Sequence, residues 1–142
     1  MTSIAIIQQQ LVADFNCFDN WLDKYEYIID LGRQLPDFPE EWQIEDYRIH
    51  GCQAQVWIKP ALREGNLHFD ATSDAAIVKG LIAILLQLYS DRTPKEILAT
   101  KPDFIKAIGL DQHLSPTRSN GLYHMLEAIY RFAKENHLDH AA

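Results

Sequence analysis

The fold is decided by residues 55–71, which read QVWIKPALREGNLHFDA. Apolar residues fall on alternate positions on both sides of a turn: Val56, Ile58 and Leu62 before it, and Leu67, Phe69 and Ala71 after it. A period of two is typical of strands with one buried face, and Gly65-Asn66 predicts a tight turn between them. Because Pro60 cannot donate to a ladder, the first strand lies at an edge or carries a bulge. The stretch therefore predicts an antiparallel hairpin, and residues 47–49 are expected to add a short third strand.

Helices are expected before the hairpin, because apolar residues there follow the three-and-four spacing of a buried helical face. Residues 8–16 predict a short helix, and residues 21–31 predict a better-marked second one for which Asp19 is a plausible cap. The second helix should end at residues 35–39, LPDFP, since proline disfavours helical geometry in the residue before it.

Helices are also expected after the hairpin. Ser73 is a suitable N-cap for a central helix, and residues 93–96, TPKE, form a capping box for a short helix that ends before Pro102. Ser115-Pro116 starts a long final helix. The order of helices, sheet and helices predicts an α+β fold in which a small antiparallel sheet packs against helices.

Length and composition limit what the chain can be. With 142 residues and no linker or repeat, residues 1–142 are expected to form a single domain. The net charge of -7 argues against nucleic acid and against an anionic membrane surface as partners. No apolar run approaches the ~18 residues of a membrane span, and residues 4–7, IAII, make a poor secretion signal. We therefore expect a cytoplasmic protein whose partners are proteins or small molecules.

Cys52 is the first candidate for chemistry. It lies in His50-Gly51-Cys52-Gln53, in the expected turn before the main strand, where Gly51 permits backbone angles that other residues avoid. Arg48 and His50 are near enough in sequence to lower the pKa of the thiol, and the thiolate is the reactive form. The alternative is a buried structural cysteine, because a free cysteine packs like a small apolar side chain.

The other cysteine and the histidines indicate a function less clearly than Cys52 does. Two cysteines cannot build a disulfide framework, and a structural role is favoured for Cys17. The six histidines are not grouped at ligand spacings, so no metal site is expected. A cysteine hydrolase that pairs Cys52 with His113 or His124 stays open, because such partners meet in space and not in sequence.

Two charged residues lie at expected helix starts. Asp74 is favoured at a helix N-terminus by the helix dipole. Arg118 falls in the first turn of the last helix, where a cation opposes that dipole, so another group should hold it there. An anionic partner, a thiolate or a persulfide would serve, and the alternative is an ordinary surface ion pair.

Three segments together resemble the SufE family of sulfur-acceptor proteins. They are residues 49–57, IHGCQAQVW, residues 73–81, SDAAIVKGL, and residues 113–122, HLSPTRSNGL. The first is similar to the family's Gly-Cys-x-Ser-x-Val-Trp segment around its persulfide cysteine. The segments occur in the family's order, and the similarity extends from about residue 21 to the last helix.

The chain departs from the family's pattern at two positions. Ala54 stands where the family commonly has serine, and Thr72 stands where it commonly has aspartate. If the missing hydroxyl normally bonds within the loop, the loop here is expected to be more mobile. Asp74 matches the main SufE group better than its paralogue CsdE, where glutamate appears.

The resemblance implies a sulfur carrier for iron–sulfur cluster assembly. Cys52 would accept sulfur as a persulfide from a SufS-type cysteine desulfurase, stimulate that enzyme, and deliver the sulfur to a SufBCD-type scaffold. No cofactor of its own is implied, since the pyridoxal phosphate (PLP) belongs to the desulfurase. A monomer or weak homodimer is expected, with a cysteine loop that lies inward when the protein is alone and extends on binding.

The resemblance also implies roles for the neighbours of Cys52. Arg118 would be an electrostatic partner of the sulfur, and Asp74 would help to dock the desulfurase. From their places beside Cys52, and not from the resemblance, Gly51 and Gln53 are expected to shape the loop and His50 to tune the thiol.

Three other functions stay open. One is a CsdE-like acceptor for another desulfurase. Another is a stand-alone cysteine hydrolase or thiol oxidoreductase, which needs a base hydrogen-bonded to Cys52 or a resolving cysteine within reach. The third is a binding module that regulates a desulfurase without carrying sulfur.

Overall fold

The predicted hairpin is present. The structure is a computed structural model that describes the backbone of residues 3–141 and the side chains of residues 3–137. Strand β1 (Val56–Arg63) pairs antiparallel with β2 (Asn66–Ser73), with Pro60 opposite Phe69. The turn comprises Glu64 and Gly65, whose φ angles are 51° and 85°, and not the predicted Gly65-Asn66. Asn66 instead pairs with Arg63, because two-residue turns with positive φ match the twist of the strands.

The expected third strand is reduced to a single bridge. Residues Glu45–Tyr47 form a 3-10 turn, after which Arg48 bridges Trp57 and the Ile49 N–H donates to the Val56 carbonyl at 2.9 Å. The pairing stops there because the chain turns at Gly51, whose φ is 89°. The segment that contains Glu45–Tyr47 covers the outer face of β1. Trp57 on that face is therefore buried, like Val56 and Ile58 on the inner face.

Two helices precede the hairpin, as predicted, with different starts. Helix α1 (Ile4–Asn16) begins earlier than the expected residue 8, because the Ser3 hydroxyl accepts from the Ile6 N–H. Helix α2 (Trp21–Arg33) is capped by Asn20 and not by the predicted Asp19. The Asn20 side chain accepts from the Asp23 N–H at 2.9 Å, which satisfies one of the free donors of the first turn.

Helix α3 (Ala76–Tyr89) is central to the core, with nine buried residues. The predicted cap Ser73 is wrong, since Ser73 is the last residue of β2 and Ala75 stands at the N-cap position without a side-chain bond. The Ser73 hydroxyl instead accepts from the Ala75 N–H at 3.2 Å. Helix α2 packs so closely on α3 that a Cβ added to Gly80 would lie 2.1 Å from the Ile28 carbonyl oxygen.

Four more helices follow α3 in the described chain. Helix α4 (Pro94–Ala99) has the predicted capping box at Thr93 and ends before Pro102. Two short helices that the sequence did not indicate come next, α5 (Phe104–Ile108) and α6 (Leu110–His113). The long last helix, α7 (Pro116–Ala141), starts as predicted. The α+β prediction, a small antiparallel sheet packed against helices, is confirmed.

Candidate functional site

Cys52 lies on a short loop between the Arg48 bridge and β1. We call residues 50–55 the cysteine loop. One end is held by the bond from Ile49 N–H to the Val56 carbonyl. At the other end the Gln55 N–H donates to Asp74 Oδ1 at 2.9 Å, and the Asp74 N–H donates to the Gln55 carbonyl at 3.2 Å. One end of the loop is therefore fixed to β1 and the other to the residue that follows β2.

Helix α7 forms the surface against which the cysteine loop packs. The Cys52 thiol is half-buried and donates to the Gly121 carbonyl, with 3.6 Å between Sγ and the oxygen. A Cβ added to Gly51 would lie 2.8 Å from atoms of the His124 ring. Arg118, Gly121 and His124 are spaced three residues apart, so they share one face of the helix. The loop lies inward in this structure, and its extension on binding stays a prediction.

The environment of Cys52 has opposite effects on its pKa. Burial, the larger effect, raises the pKa of the thiol, and the positive charge of Arg48 lowers it. Arg48 thus lowers the pKa as the sequence suggested, but the net shift is upward, because desolvation of the thiolate outweighs the nearby cation. His50 points elsewhere: its Nε2 pairs with the Glu45 carboxylate, and its side chain is 71% exposed. The reactive thiolate becomes abundant only as the pH rises through this raised pKa.

A cleft opens beside Cys52. Its volume is about 500 Å³. Its lining is polar on the loop and at the start of α7 and apolar deeper down: Cys52, Gln53, Ala54, Asp74, Ala75, Val78, Leu81, Ser115, Thr117, Arg118, Gly121, Leu122 and Met125. The structure thus brings Cys52, Gln53, Asp74 and Arg118 to one cleft, whereas Gly51 packs on His124 and His50 lies apart.

Arg118 faces the cleft without a partner of its own. Its side chain is half-buried, and within residues 3–137 the structure shows no ion pair or hydrogen bond for the guanidinium. Only its backbone N–H is engaged, donating to the Ser115 hydroxyl at 3.2 Å. An ordinary surface ion pair therefore does not explain the position of Arg118, and a free cation is available to an anion in the cleft.

Asp74 has a different role from the one expected at a helix start. It precedes α3, and its carboxylate accepts from the Gln55 N–H. This bond holds the base of the cysteine loop, so Asp74 acts on the geometry of Cys52 through the backbone.

The described side chains do not form a cysteine–histidine dyad. The His113 ring stacks on Trp21 with 4.0 Å between ring centroids. The His124 ring packs on Gly51, and its Nδ1 lies 4.0 Å from Glu127. Neither histidine is hydrogen-bonded to Cys52 in this part of the chain. A base for hydrolysis is therefore missing among the described neighbours of the thiol.

The second cysteine lies outside the cleft. Cys17 follows the end of α1, is exposed, and donates to the Ala13 carbonyl at 3.4 Å. No disulfide is formed by the two thiols. Among the described residues no group of three or more His, Cys, Asp or Glu side chains is placed to hold a metal ion.

Replacing Gly51 with alanine is expected to release the cysteine loop. The Cβ would lie 2.8 Å from atoms of the His124 ring, so that the ring or the loop must move, and alanine would have to adopt a φ of 89°. Gly65 is a matched control, since its φ is 85° but nothing lies within 4 Å of an added Cβ. We expect Gly65→Ala to lose about 1 kcal/mol of unfolding free energy for backbone strain alone. Gly51→Ala should lose about 1 kcal/mol more of unfolding free energy, and its Cys52 should be alkylated faster.

The measurement compares urea unfolding of both variants and iodoacetamide labelling of Cys52 in a Cys17→Ser background. If Gly51→Ala behaves like Gly65→Ala in both assays, the His124 contact does not hold the loop.

Comparison with known proteins agrees with this geometry. A family model described as "SufE: Fe-S metabolism associated domain" matches residues 9–133. The fold is also similar to the solution structure of a hypothetical protein from Thermus thermophilus, with a TM-score of 0.75 at 20% identity. That similarity covers 92% of this chain and 95% of the other. Among the described residues, no helix is both long and apolar enough to cross a membrane. Because the family model covers most of the chain, including the cysteine loop and the cleft, the chain belongs to the SufE family, whose domain is associated with iron–sulfur metabolism.

Proposed function

We propose that this chain is a sulfur acceptor that carries sulfur on Cys52 for iron–sulfur cluster assembly. The observation that carries the proposal is the placement of Cys52: a half-buried thiol on a loop fixed at both ends, beside a cleft with a free Arg118. Membership of the SufE family supports the same function. We further propose that residues 1–142 act as one SufE-like domain in the cytoplasm.

The proposed sulfur donor is a cysteine persulfide on a SufS-type desulfurase. The Cys52 thiolate attacks the outer sulfur of that persulfide, in a step analogous to thiol–disulfide exchange. A bond forms between Cys52 Sγ and the outer sulfur while the sulfur–sulfur bond of the donor breaks. The electron pair of the broken bond leaves with the donor cysteine as its thiolate. The transfer therefore exchanges one persulfide for another and needs no oxidant.

The half-buried position of Cys52 fits a carrier more than an enzyme. An exposed persulfide is open to reduction and to further oxidation, and the contact of Cys52 with α7 limits access to the sulfur. The raised pKa of the thiol also lowers the fraction of Cys52 present as reactive thiolate in the free protein.

We propose roles for the neighbours of Cys52 in this reaction. Arg118 attracts the anionic sulfur as it enters the cleft, because its guanidinium has no partner among the described side chains. Asp74 positions the loop through Gln55 and, as an exposed carboxylate, remains a candidate docking contact for the desulfurase. Gln53 lines the cleft and shapes the loop. His50 is available to a partner surface, since it is exposed.

The partners follow from the same chemistry. PLP on the desulfurase supplies the chemistry that releases sulfur from L-cysteine, and this chain is proposed to need no cofactor. A SufBCD-type scaffold is the proposed acceptor of the Cys52 sulfur. A CsdE-type partnership is the alternative, and competition between the two desulfurases for this chain would decide it.

Mass spectrometry without reductant tests the proposal. The chain, in a Cys17→Ser background, is mixed with an active SufS-type desulfurase and L-cysteine, and peptides are mapped. We expect the Cys52 peptide to gain the mass of one sulfur. If the desulfurase is active and binds the chain but Cys52 gains no sulfur, the carrier function is wrong, and regulation or hydrolysis must be examined instead.

A further inference from the structure

The cleft beside Cys52 contains one cation and one anion that do not pair with each other. Arg118, in the first turn of α7, and Asp74, before α3, both line it. Within residues 3–137, neither of these two side chains forms an ion pair. Opposite charges that share a cleft and stay apart are complementary to a ligand that carries both signs.

Both charged groups keep hydrogen-bonding capacity for such a ligand. Asp74 uses Oδ1 to accept from the Gln55 N–H at 2.9 Å, and among the described residues its Oδ2 has no partner. A carboxylate can accept several hydrogen bonds, so Asp74 can hold the loop and a ligand ammonium together. The guanidinium of Arg118 has all its donors available, since only its backbone N–H is engaged, by Ser115. A guanidinium and a carboxylate form a strong, paired hydrogen bond.

The size and lining of the cleft fit a small zwitterion. Its volume of about 500 Å³ lies within the ~300–1,000 Å³ of small-molecule sites. Its deeper wall is apolar, with Val78, Leu122 and Met125. A simple anion in this cleft is repelled by Asp74, and a simple cation is repelled by Arg118. A free α-amino acid satisfies both residues, because its carboxylate and its ammonium are on one carbon atom.

The thiol in the same lining indicates which amino acid. Cys52 lines the cleft together with Arg118 and Asp74, so a ligand between the two charges lies beside the sulfur. A thiolate exchanges with a sulfur–sulfur bond, and the amino acid that carries one terminal persulfide is cysteine persulfide. We infer that the cleft binds free cysteine persulfide, with its carboxylate on Arg118 and its ammonium on Asp74, as a second sulfur donor to Cys52.

The transfer is balanced without a further reactant. The Cys52 thiolate attacks the outer sulfur of the bound persulfide, and a bond forms between Sγ and that sulfur. The sulfur–sulfur bond of the ligand breaks, and its electron pair leaves with free cysteine as the thiolate. The transfer step rests on the proposed function of Cys52 as a sulfur acceptor, whereas the binding of the amino acid does not.

The binding is tested with S-methyl-L-cysteine, which has both charged groups and a sulfur that cannot exchange. The readout is alkylation of Cys52 by iodoacetamide in a Cys17→Ser background, without any desulfurase. We expect the ligand to slow alkylation about fivefold or more, in a saturable way. The D enantiomer, and the N-acetyl derivative that lacks the ammonium, should need about tenfold higher concentrations, the cost of one lost charged hydrogen bond.

Two variants test the residues that bind the charges. Arg118→Gln and Asp74→Asn should each raise the half-protecting concentration about tenfold. Asparagine keeps an oxygen for the Gln55 N–H, so the loop retains that bond. Arg131→Gln is the matched control for Arg118→Gln: it removes the same charge from α7, but Arg131 lies over the Phe132 ring and does not line the cleft. It should be protected as the parent is.

The donor step is tested by mass spectrometry of Cys52 after mixing with L- or D-cysteine persulfide. The two enantiomers have the same intrinsic reactivity, so a bound donor should load Cys52 about tenfold faster in the L form. This comparison uses one chain and does not depend on the folding of a variant.

The inference is overturned if S-methyl-L-cysteine gives no protection, if the enantiomers protect or load equally, or if Arg131→Gln weakens protection as much as Arg118→Gln. Should a desulfurase load Cys52 while the amino acid does not protect it, this inference fails and the proposed function stands. Should the amino acid protect Cys52 while neither donor loads it, the transfer step fails together with the proposed function, and only the binding site stands.

Discussion

If this chain stimulates a SufS-type desulfurase by accepting its sulfur, as the proposed function implies, replacing Cys52 with serine is expected to abolish that stimulation. A hydroxyl cannot accept sulfur as a persulfide, and serine is not ionised at neutral pH. The fold should survive, because serine is similar in size and its hydroxyl can still donate to the Gly121 carbonyl, as the thiol does now. The turnover rate with saturating variant should fall to that of the desulfurase alone.

The measurement is alanine formation from L-cysteine as the variant is titrated, with binding followed separately by calorimetry. Cys17→Ser is the matched control, because Cys17 is exposed at the end of α1 and does not line the cleft. It should stimulate as the parent does. Full stimulation by Cys52→Ser would instead show a module that regulates the desulfurase by binding, and sulfur transfer would not be its function.

Replacing Gly80 with alanine is expected to cause a larger loss of stability than the same change at the helical glycines Gly32 and Gly121. The new Cβ would lie 2.1 Å from the Ile28 carbonyl oxygen and 2.4 Å from its Cγ2. Because the carbonyl belongs to the backbone of α2, the clash is relieved only by moving α2 away from α3. We expect the free energy of unfolding to fall by about 3 kcal/mol, as for overpacked cores.

Urea unfolding followed by circular dichroism measures this loss. Gly121→Ala is the control, since it adds the same methyl to another helix at an ordinary 3.7 Å from Cys52 Sγ. Its stability should be unchanged or higher, because alanine favours helix by about 1 kcal/mol over glycine. A loss below about 1 kcal/mol in Gly80→Ala, small for an overpacked core, would mean that α2 can shift at little cost.

Local patterns predicted most of the fold. The alternation around the turn predicted β1 and β2, and the capping box at Thr93 predicted the start of α4. The errors lie where neighbouring residues offer the same chemistry. Asp19 and Asn20 are both good caps, and only the backbone of the folded chain decides that Asn20 accepts from Asp23. A third strand was expected at residues 47–49, but only one bridge forms. The pairing ends where Gly51 turns the chain away, and the sequence pattern does not show that turn.

The site was predicted less completely. Cys52 and Gly51 could be identified from their own segment, and Arg118 from its unfavourable place at a helix start. The sign of the pKa shift at Cys52 could not be predicted, because it depends on burial by α7, which is distant in the sequence. The packing of His124 on Gly51 is equally non-local. A glycine before the cysteine was the only local signal of that contact.

The way in which both ends of the cysteine loop are attached affects how readily it can open. Since Ile49 is bonded to Val56 and Gln55 to Asp74, the loop can swing without changing the distance between its ends. Opening therefore needs no new loop closure, and it breaks the thiol's bond to Gly121, the packing on His124 and the packing of Cys52 and Ala54 against the core. If these contacts are together worth about 1.4 kcal/mol, the outward form makes up about one molecule in ten at rest. A partner that binds only that form would then bind about tenfold more weakly than its contacts alone allow.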